Sequence, residues 1–431
     1  MDRFRNEWKR IRSSSLAQNA GWVFLGQGTS IICYGVYFIL LARLLGATEY
    51  GIYAGAVAMV SLIGQYSSLG SHSVFLRHVS PNRGNFARYW GNVLVTTLSF
   101  GSLLIVVLTL AGPHWAHAYK WTMVLCIAAG DCVCAQLTIA AGRVFQAFEE
   151  MRFTALLSLL TNLLRTVLAG ALLWHLHHAT ARQWVVAALI VSFIAAFTAL
   201  TVVTRRFGKP EFSPGLLRQR TGEGFIFAIS YSTTGVYNDI DKAMLGHYGM
   251  NAANGVYAMA YRVIDVACLP FASILAAAIP RFFQKGLNGV QSTADFALRI
   301  IKRTVPMALL STAIMMVAAP IIPFLIGNGF AESVSALRWL CLLPVFRSLH
   351  YCAGDALTGA GRQKLRLGGQ AAAAGFNFAI NLYLIPHYGW LGAAWASLAT
   401  DGLLAVFNWT LLLRLTSKAG SKTPPIAEDF C

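Results

Sequence analysis

The sequence predicts an all-α polytopic membrane protein of about twelve transmembrane helices in two six-helix bundles related by pseudo-two-fold symmetry. Three observations predict it. Of 431 residues, 56% are hydrophobic and only 12% charged, which is more apolar surface than a soluble core can hide. The basic residues collect in every other connection between apolar stretches. A short motif also recurs about half a chain apart.

With about 20 apolar residues per span, helices are expected over 20–42, 52–74, 90–111, 121–142, 153–174, 184–204, 223–246, 254–279, 304–326, 335–358, 367–386 and 389–413. The break between the last two rests on the turn signal Pro386-His387-Tyr388-Gly389. The expected organisation is a basic N-terminus (1–19), a first bundle (20–204), a basic linker (205–222), a second bundle (223–414) and a C-terminal tail (415–431).

The net charge of +17 does not point to nucleic acid, because of where the basic residues lie. Arg3, Arg5, Lys9, Arg10 and Arg12 precede the first span, and Arg77, Arg83 and Arg88 follow the second. Arg205, Arg206, Lys209, Arg218 and Arg220 follow the sixth; Arg281, Lys285, Arg299, Lys302 and Arg303 follow the eighth. Arg362, Lys364 and Arg366, then Arg414, Lys418 and Lys422, continue the phase. The positive-inside rule puts these connections and both termini in the cytoplasm. The basic N-terminus runs into a long span without a small-residue cleavage site, so the first helix is expected to stay as an anchor. Seven of the eight cysteines fall in spans and read as small packing residues. Cys132 and Cys134 point to different helix faces, and no metal or other cofactor is expected.

Along the chain, Gln27, Ser30, Tyr34 and Tyr37 share one face of the first helix, and Ser61, Gln65, Ser68 and His72 are spaced as a stripe on the second. Asp131 in the fourth span and Arg165 in the fifth are expected to form an ion pair, with Ser158, Thr161 and Asn162 on the face of Arg165. The densest polar stretch runs from Tyr231 to Asp265. A charge at the bilayer centre costs roughly 2.5 to 3.5 kcal/mol on insertion scales, so Asp239, Asp241, Lys242, Arg262 and Asp265 imply an aqueous cavity or mutual pairing. Tyr231, Thr234, Asn238 and Asp241 form one helical stripe; Tyr257, Tyr261 and Asp265 form another. Both are expected to face something wet. In the tenth span Arg347, Tyr351 and Asp355 fall at i, i+4, i+8; Asn377, Asn381, Asp401 and Asn408 follow in the last two. Pro270, Pro280, Pro306, Pro320 and Pro323 permit kinks in the eighth and ninth.

Leu45-Gly46 followed by Gly51-Ile52-Tyr53-Ala54 is repeated as Leu245-Gly246 followed by Gly255-Val256-Tyr257-Ala258. Six spans separate the copies, so the halves are expected to be parallel repeats about an axis along the membrane normal.

These residues also carry a resemblance. Asp241-Lys242-Ala243-Met244-Leu245-Gly246 with Gly255-Val256-Tyr257-Ala258-Met259-Ala260-Tyr261-Arg262, and Ala42-Arg43-Leu44-Leu45-Gly46-Ala47-Thr48-Glu49-Tyr50-Gly51-Ile52-Tyr53, resemble the signatures of Wzx-type polysaccharide (O-antigen or exopolysaccharide) flippases. With twelve spans it covers most of the chain, to about residue 415. The resemblance implies the multidrug/oligosaccharidyl-lipid/polysaccharide exporter superfamily, two bundles around a central cavity, and transport of undecaprenyl-diphosphate-linked oligosaccharide across the bacterial inner membrane. A polysaccharide polymerase and glycosyltransferases are the expected protein partners.

The candidate site follows. Arg262, Arg347 and Arg165 are the expected cations for the diphosphate, since a guanidinium in a bilayer must meet an anion and pairs bidentately with phosphate. Tyr261, Tyr351 and Asn238 are the expected sugar-contacting groups. Asp241, Asp239, Asp265 and Asp355 are candidates for a coupling proton or sodium, or for pairing with Lys242, Arg262 and Arg347. Asp241 has no basic residue three or four positions away and is the first choice. A drug or metabolite antiporter of the same superfamily is the alternative, but it should have a predominantly acidic cavity. A membrane-embedded polymerase or glycosyltransferase should show a large external loop, and none is visible. No Gly-x-x-x-x-Gly-Lys-Ser/Thr phosphate loop supports ATP hydrolysis.

Overall fold

A computed structural model describes residues 15–420; the side chains of residues 15–28, 30, 31, 234 and 418–420, Gln27, Ser30 and Thr234 among them, lie outside the description. The first element, α1 (Ser15–Gly64), is two helices merged across a break at Gly46, whose φ of 67° is a left-handed value that glycine adopts without strain. The break sits where the loop between the first two spans is expected. The second expected span does not run straight to residue 74: the chain turns after Gly64, Gly70 takes a left-handed φ of 66°, and α2 (Ser71–Val79) starts anew. The stripe Ser61, Gln65, Ser68 and His72 is therefore interrupted after its first member, with Gln65 and Ser68 in the turn.

The third span is α3 (Phe86–Trp115). The fourth is α4 (Trp121–Ala128), a π-helical stretch (Ala129–Ala135) and α5 (Gln136–Ala147). Next come α6 (Met151–Leu176) and α7 (Ala181–Phe207), the latter opened by a Thr180/Gln183 capping box. The buried face of α7 is Ser192, Ala195, Ala196, Ala199 and Val203. Small residues at this spacing let helix backbones approach in lipid, where association depends on packing and not on hydrophobic burial.

The 205–222 stretch is mostly helical: α7 runs to Phe207, a short extended segment follows, and α8 (Pro214–His247) begins with proline in its first turn. Then come α9 (Asn251–Gly286), α10 (Val290–Ala318), α11 (Ile321–Ile326), α12 (Ser333–Leu340), α13 (Leu343–Gly359), α14 (Gln363–Tyr388) and α15 (Trp390–Gly420). The ninth expected span divides into α10 and α11 just before Pro320, and the tenth bends by 45° between α12 and α13. Gly389, with φ 56°, makes the expected turn between the last two.

All twelve expected intervals are thus mainly helical. Among the described residues eight helices are individually long and apolar enough to cross a membrane, and the bent pair makes a ninth. The two arms of α1 count there as one. Helices α8 and α14 fall short because they carry the polar residues of interest: Asp239, Asp241 and Lys242 in one, Gln370, Asn377 and Asn381 in the other. Only 28% of the most apolar window of α3 is buried, and Leu103, Val106 and Leu110 stand more than half exposed. Such outward apolar faces suit lipid, and the protein is a multi-pass membrane protein.

By packing, the chain forms two compact units, one running to Gly255 with Leu325–Gly327, the other from Val256 onward. The first unit therefore includes α8, the seventh expected span, because α8 packs closely on α1. Its aromatic core of Phe75, Phe86, Trp90 and Phe145 takes in Phe153 and Phe207 from α6 and α7.

Candidate functional site

In the first unit the charged turn of α8 closes on itself. Lys242 Nζ lies 2.9 Å from Asp239 Oδ1 and 3.7 Å from Asp241 Oδ1, and donates to the Asn238 carbonyl at 2.6 Å. Asp241 is fully buried, and its Oδ1 also accepts the Lys242 backbone N–H at 2.7 Å. The expectation of an unpartnered Asp241 is corrected. Adjacent helical residues do not face each other, but the four-carbon lysine stem bends back along the helix to reach both carboxylates. Asn254 holds the same turn from α9, donating to the Lys242 and Gly51 carbonyls at 3.0 Å each. The stripe from Tyr231 to Asp241 is not uniformly wet: Tyr231 bonds to Ser73 Oγ at 3.1 Å and stacks on His72, whereas Asp241 is in the interior.

Arg165 on α6 is differently placed. Its Nη2 donates to Ser192 Oγ of α7 at 3.4 Å, while its buried Nε has no hydrogen-bond partner among the described residues. Tyr34, Tyr37 and Tyr53 of α1 lie within electrostatic reach of the guanidinium. Asp131, in the π-helical stretch, is within electrostatic reach. The expected Asp131–Arg165 pair does not form as a salt bridge within 4.0 Å. Arg165 thus keeps hydrogen-bonding capacity beside three phenols.

In the second unit Arg347 is only 6% exposed and lies between two carboxylates. Its Nη1 is 3.2 Å from Asp265 Oδ1 of α9, and its Nε is 3.5 Å from Asp401 Oδ2 of α15. Tyr261 packs its ring under the guanidinium at 5.5 Å. Tyr257 and Tyr261 are buried, and Tyr257 bonds to Ser397 Oγ at 2.9 Å, so this stripe faces protein until it reaches half-exposed Asp265. Arg262, 38% exposed, lies 3.6 Å from Asp265 Oδ2. Arg347 does not meet Asp355 along its own helix: Asp355 pairs with Arg366 of α14 at 3.2 Å, and Arg366 also donates to Thr358. Tyr351 is half-buried and its ring touches His350 edge-on. Asn377 donates to Thr400 Oγ1 and Asn381 to Asn377 Oδ1, both at 2.9 Å, consistent with helix packing.

Two members of this constellation, Asp401 and His350, were not selected from sequence. Asp401 stood out only as a carboxylate in an apolar span, and its partners sit on another helix. A cavity of about 320 Å³ between α2, α3 and α8 is lined mainly by apolar side chains, and none of the sequence-selected residues borders it.

Residues 16–285, well over half the chain, match the family described as polysaccharide biosynthesis protein. Both stretches that carried the Wzx-type resemblance lie inside this match. None of the curated proteins is significantly similar in sequence. Among solved structures, the chain is similar to an inward-facing multidrug resistance MATE family transporter of the MOP superfamily, with TM-score 0.75 and 15% identity over 90% of this chain and 96% of that one. An outward-facing MATE family transporter gives 0.63 and 14% over 94% and 98%. A MOP superfamily transporter from Pyrococcus furiosus, described as having a binding pocket of reverse polarity that suggests a different function, gives 0.64 and 13% over 93% and 96%. At these identities the likeness concerns the fold. The motifs, the membrane-spanning helices and the family match converge: the chain belongs to the polysaccharide biosynthesis protein family and has the fold of MOP-superfamily transporters.

Proposed function

We propose that this transporter is a flippase that carries undecaprenyl-diphosphate-linked oligosaccharide units from the cytoplasmic to the periplasmic leaflet of the bacterial inner membrane, by alternating access. The observation that carries the reading is Arg165. A guanidinium set among apolar helices, without a salt bridge among the described residues and with tyrosines in electrostatic reach, is equipped for an anionic head group and for the sugars attached to it. In the second unit Arg262 is the partly exposed cation, and Arg347 is committed to carboxylates in this conformation. Donors that replace water around the diphosphate lower the barrier to moving it past hydrocarbon. The alternate basic connections support cytoplasmic termini.

The antiporter alternative needs a carboxylate available to a lipophilic cation. Asp239, Asp241, Asp265 and Asp355 each lie within 4 Å of a lysine or arginine, which leaves Asp131, without a salt bridge among the described residues, as the carboxylate this alternative would use. The deciding experiment is reconstitution of the purified chain with undecaprenyl-diphosphate oligosaccharide and measurement of the fraction reaching the opposite leaflet. Arg165→Ala is expected to abolish transfer with normal folding, and Arg165→Lys to restore it only partly, because the bidentate geometry is lost. Full transfer by Arg165→Ala removes this residue from the site, and no transfer by the wild type removes the cargo.

A further inference from the structure

Asp401 of α15 is 4% exposed and touches two bases on one face of α13, three residues apart: Arg347 Nε at 3.5 Å from one carboxylate oxygen and His350 Nε2 at 3.3 Å from the other. Both contacts are long for charged hydrogen bonds, and Arg347 Nε, His350 Nε2 and Asp401 Oδ1 are all buried without a hydrogen-bond partner among the described residues. The backbone that presents His350 is held in place: Asn408 donates to the His350 carbonyl at 3.2 Å, and Trp409 Nε1 to the Leu349 carbonyl at 3.1 Å.

The surrounding charges make His350 the pivotal group. From α9, Asp265, Arg262, Tyr261 and Cys268 face Arg347; from α13, Tyr351 lies beside it, and Asp355 one turn beyond His350 is bound by Arg366 of α14. Arg262 and Arg347 offset Asp265 and Asp401, so the cluster is neutral when the imidazole is neutral. Histidine is the side chain in this set whose charge ordinarily changes near neutral pH.

We propose that His350 and Asp401 are the proton-binding site of this transporter, and that the proton decides whether Asp401 holds Arg347. With His350 neutral, Arg347 is the one cation against Asp401, and leaving that buried carboxylate unpaired is costly. When the imidazole takes one proton from water, the imidazolium supplies the charge Asp401 needs. Arg347 then keeps only Asp265, whose carboxylate is 44% exposed beside Arg262. Two guanidiniums at one exposed edge can bind an anion bidentately. Loss of the proton to water returns Arg347 to Asp401. The second half of this inference rests on the anionic cargo proposed above; the proton site does not.

The test uses the full-length chain in nanodiscs, with ¹⁵N-labelled histidine for NMR and undecaprenyl diphosphate as the binding probe. One imidazole signal, absent from His350→Gln, is expected to pass from its neutral to its protonated form as the pH is lowered, and to do so differently in Asp401→Asn. Undecaprenyl diphosphate is expected to bind roughly tenfold more tightly on lowering the pH by one to two units, as one linked proton allows. His350→Gln is expected to lose this dependence at the weaker affinity, and Asp401→Asn to lose it at the tighter one. An untitrating His350, or a pH dependence unchanged in His350→Gln, overturns the proton site. A titrating His350 with no binding of the probe at any pH keeps the proton site and overturns the cargo. Should Asp401→Asn fail to fold, His350→Gln decides alone.

Discussion

Gly51 and Gly255 meet reciprocally. A Cβ on Gly51 would lie 1.8 Å from the Asn251 carbonyl oxygen, and one on Gly255 would lie 1.9 Å from that of Ala47. Each blocking carbonyl is four residues before the opposite glycine, about one helical turn. The two copies of the repeated motif therefore cross as equivalents, α1 against the first turn of α9, and only hydrogen at both positions permits the approach.

Alanine at either glycine is expected to separate the helices and cost about 1 to 3 kcal/mol, the usual range for overpacking. The double variant should cost less than the sum, since one displacement relieves both clashes. Thermal unfolding of the purified protein in detergent reads this; unchanged midpoints in both single variants would contradict the close crossing.

Arg347→Ala leaves Asp401 with His350 alone and takes from Asp265 its closer cation. A broken buried pair typically costs about 3 to 5 kcal/mol, so this variant should accumulate poorly in the membrane. Arg347→Met combined with Asp401→Asn should recover much of the lost protein. Recovery no better than Arg347→Ala would show that the pair is not what holds α13 to α15.

At the turn of α8, Lys242→Met takes the cation from beside the fully buried Asp241, whereas Asp241→Asn leaves Lys242 with Asp239 at 2.9 Å. The lysine variant should therefore be the less stable of the two, with the Lys242→Met, Asp241→Asn double variant between it and wild type. Melting temperatures of the three, compared in one detergent, give the order; an Asp241→Asn variant less stable than Lys242→Met would reverse the assignment.

Topology is open to a direct check. Reporter fusions after Arg88, Arg220, Lys302 and Arg366 should report cytoplasm, and fusions near Thr48, His117, His178, Asn251 and Gly329 the opposite side. Two inverted fusions would refute the arrangement of spans.

The helices, their order, the repeat and the family motifs were legible in the sequence. Each depends on quantities local to the chain: windows of about 20 apolar residues, basic connections in alternate phase, and glycines at matching positions. Even some breaks were marked, by Pro320 and Gly389. The interruption at Gly70 was not, because a run of Ser and Gln at helical spacing reads as a helix whether or not the backbone continues as one.

Only the tertiary structure decided which charge meets which. Helical spacing pairs residues three or four apart on one helix, and on that basis Asp241 stood alone and Arg347 shared a stripe with Asp355. In the fold Arg347 reaches Asp265 on α9 and Asp401 on α15, Asp355 takes Arg366 from α14, and Lys242 bends back to its own neighbour. Lysine and arginine have long stems that span the gap between helices, so their partners are set by which helices lie side by side. Leaving Arg347 or Asp355 buried without an opposite charge would be costly, and the packing of other helices supplies their partners.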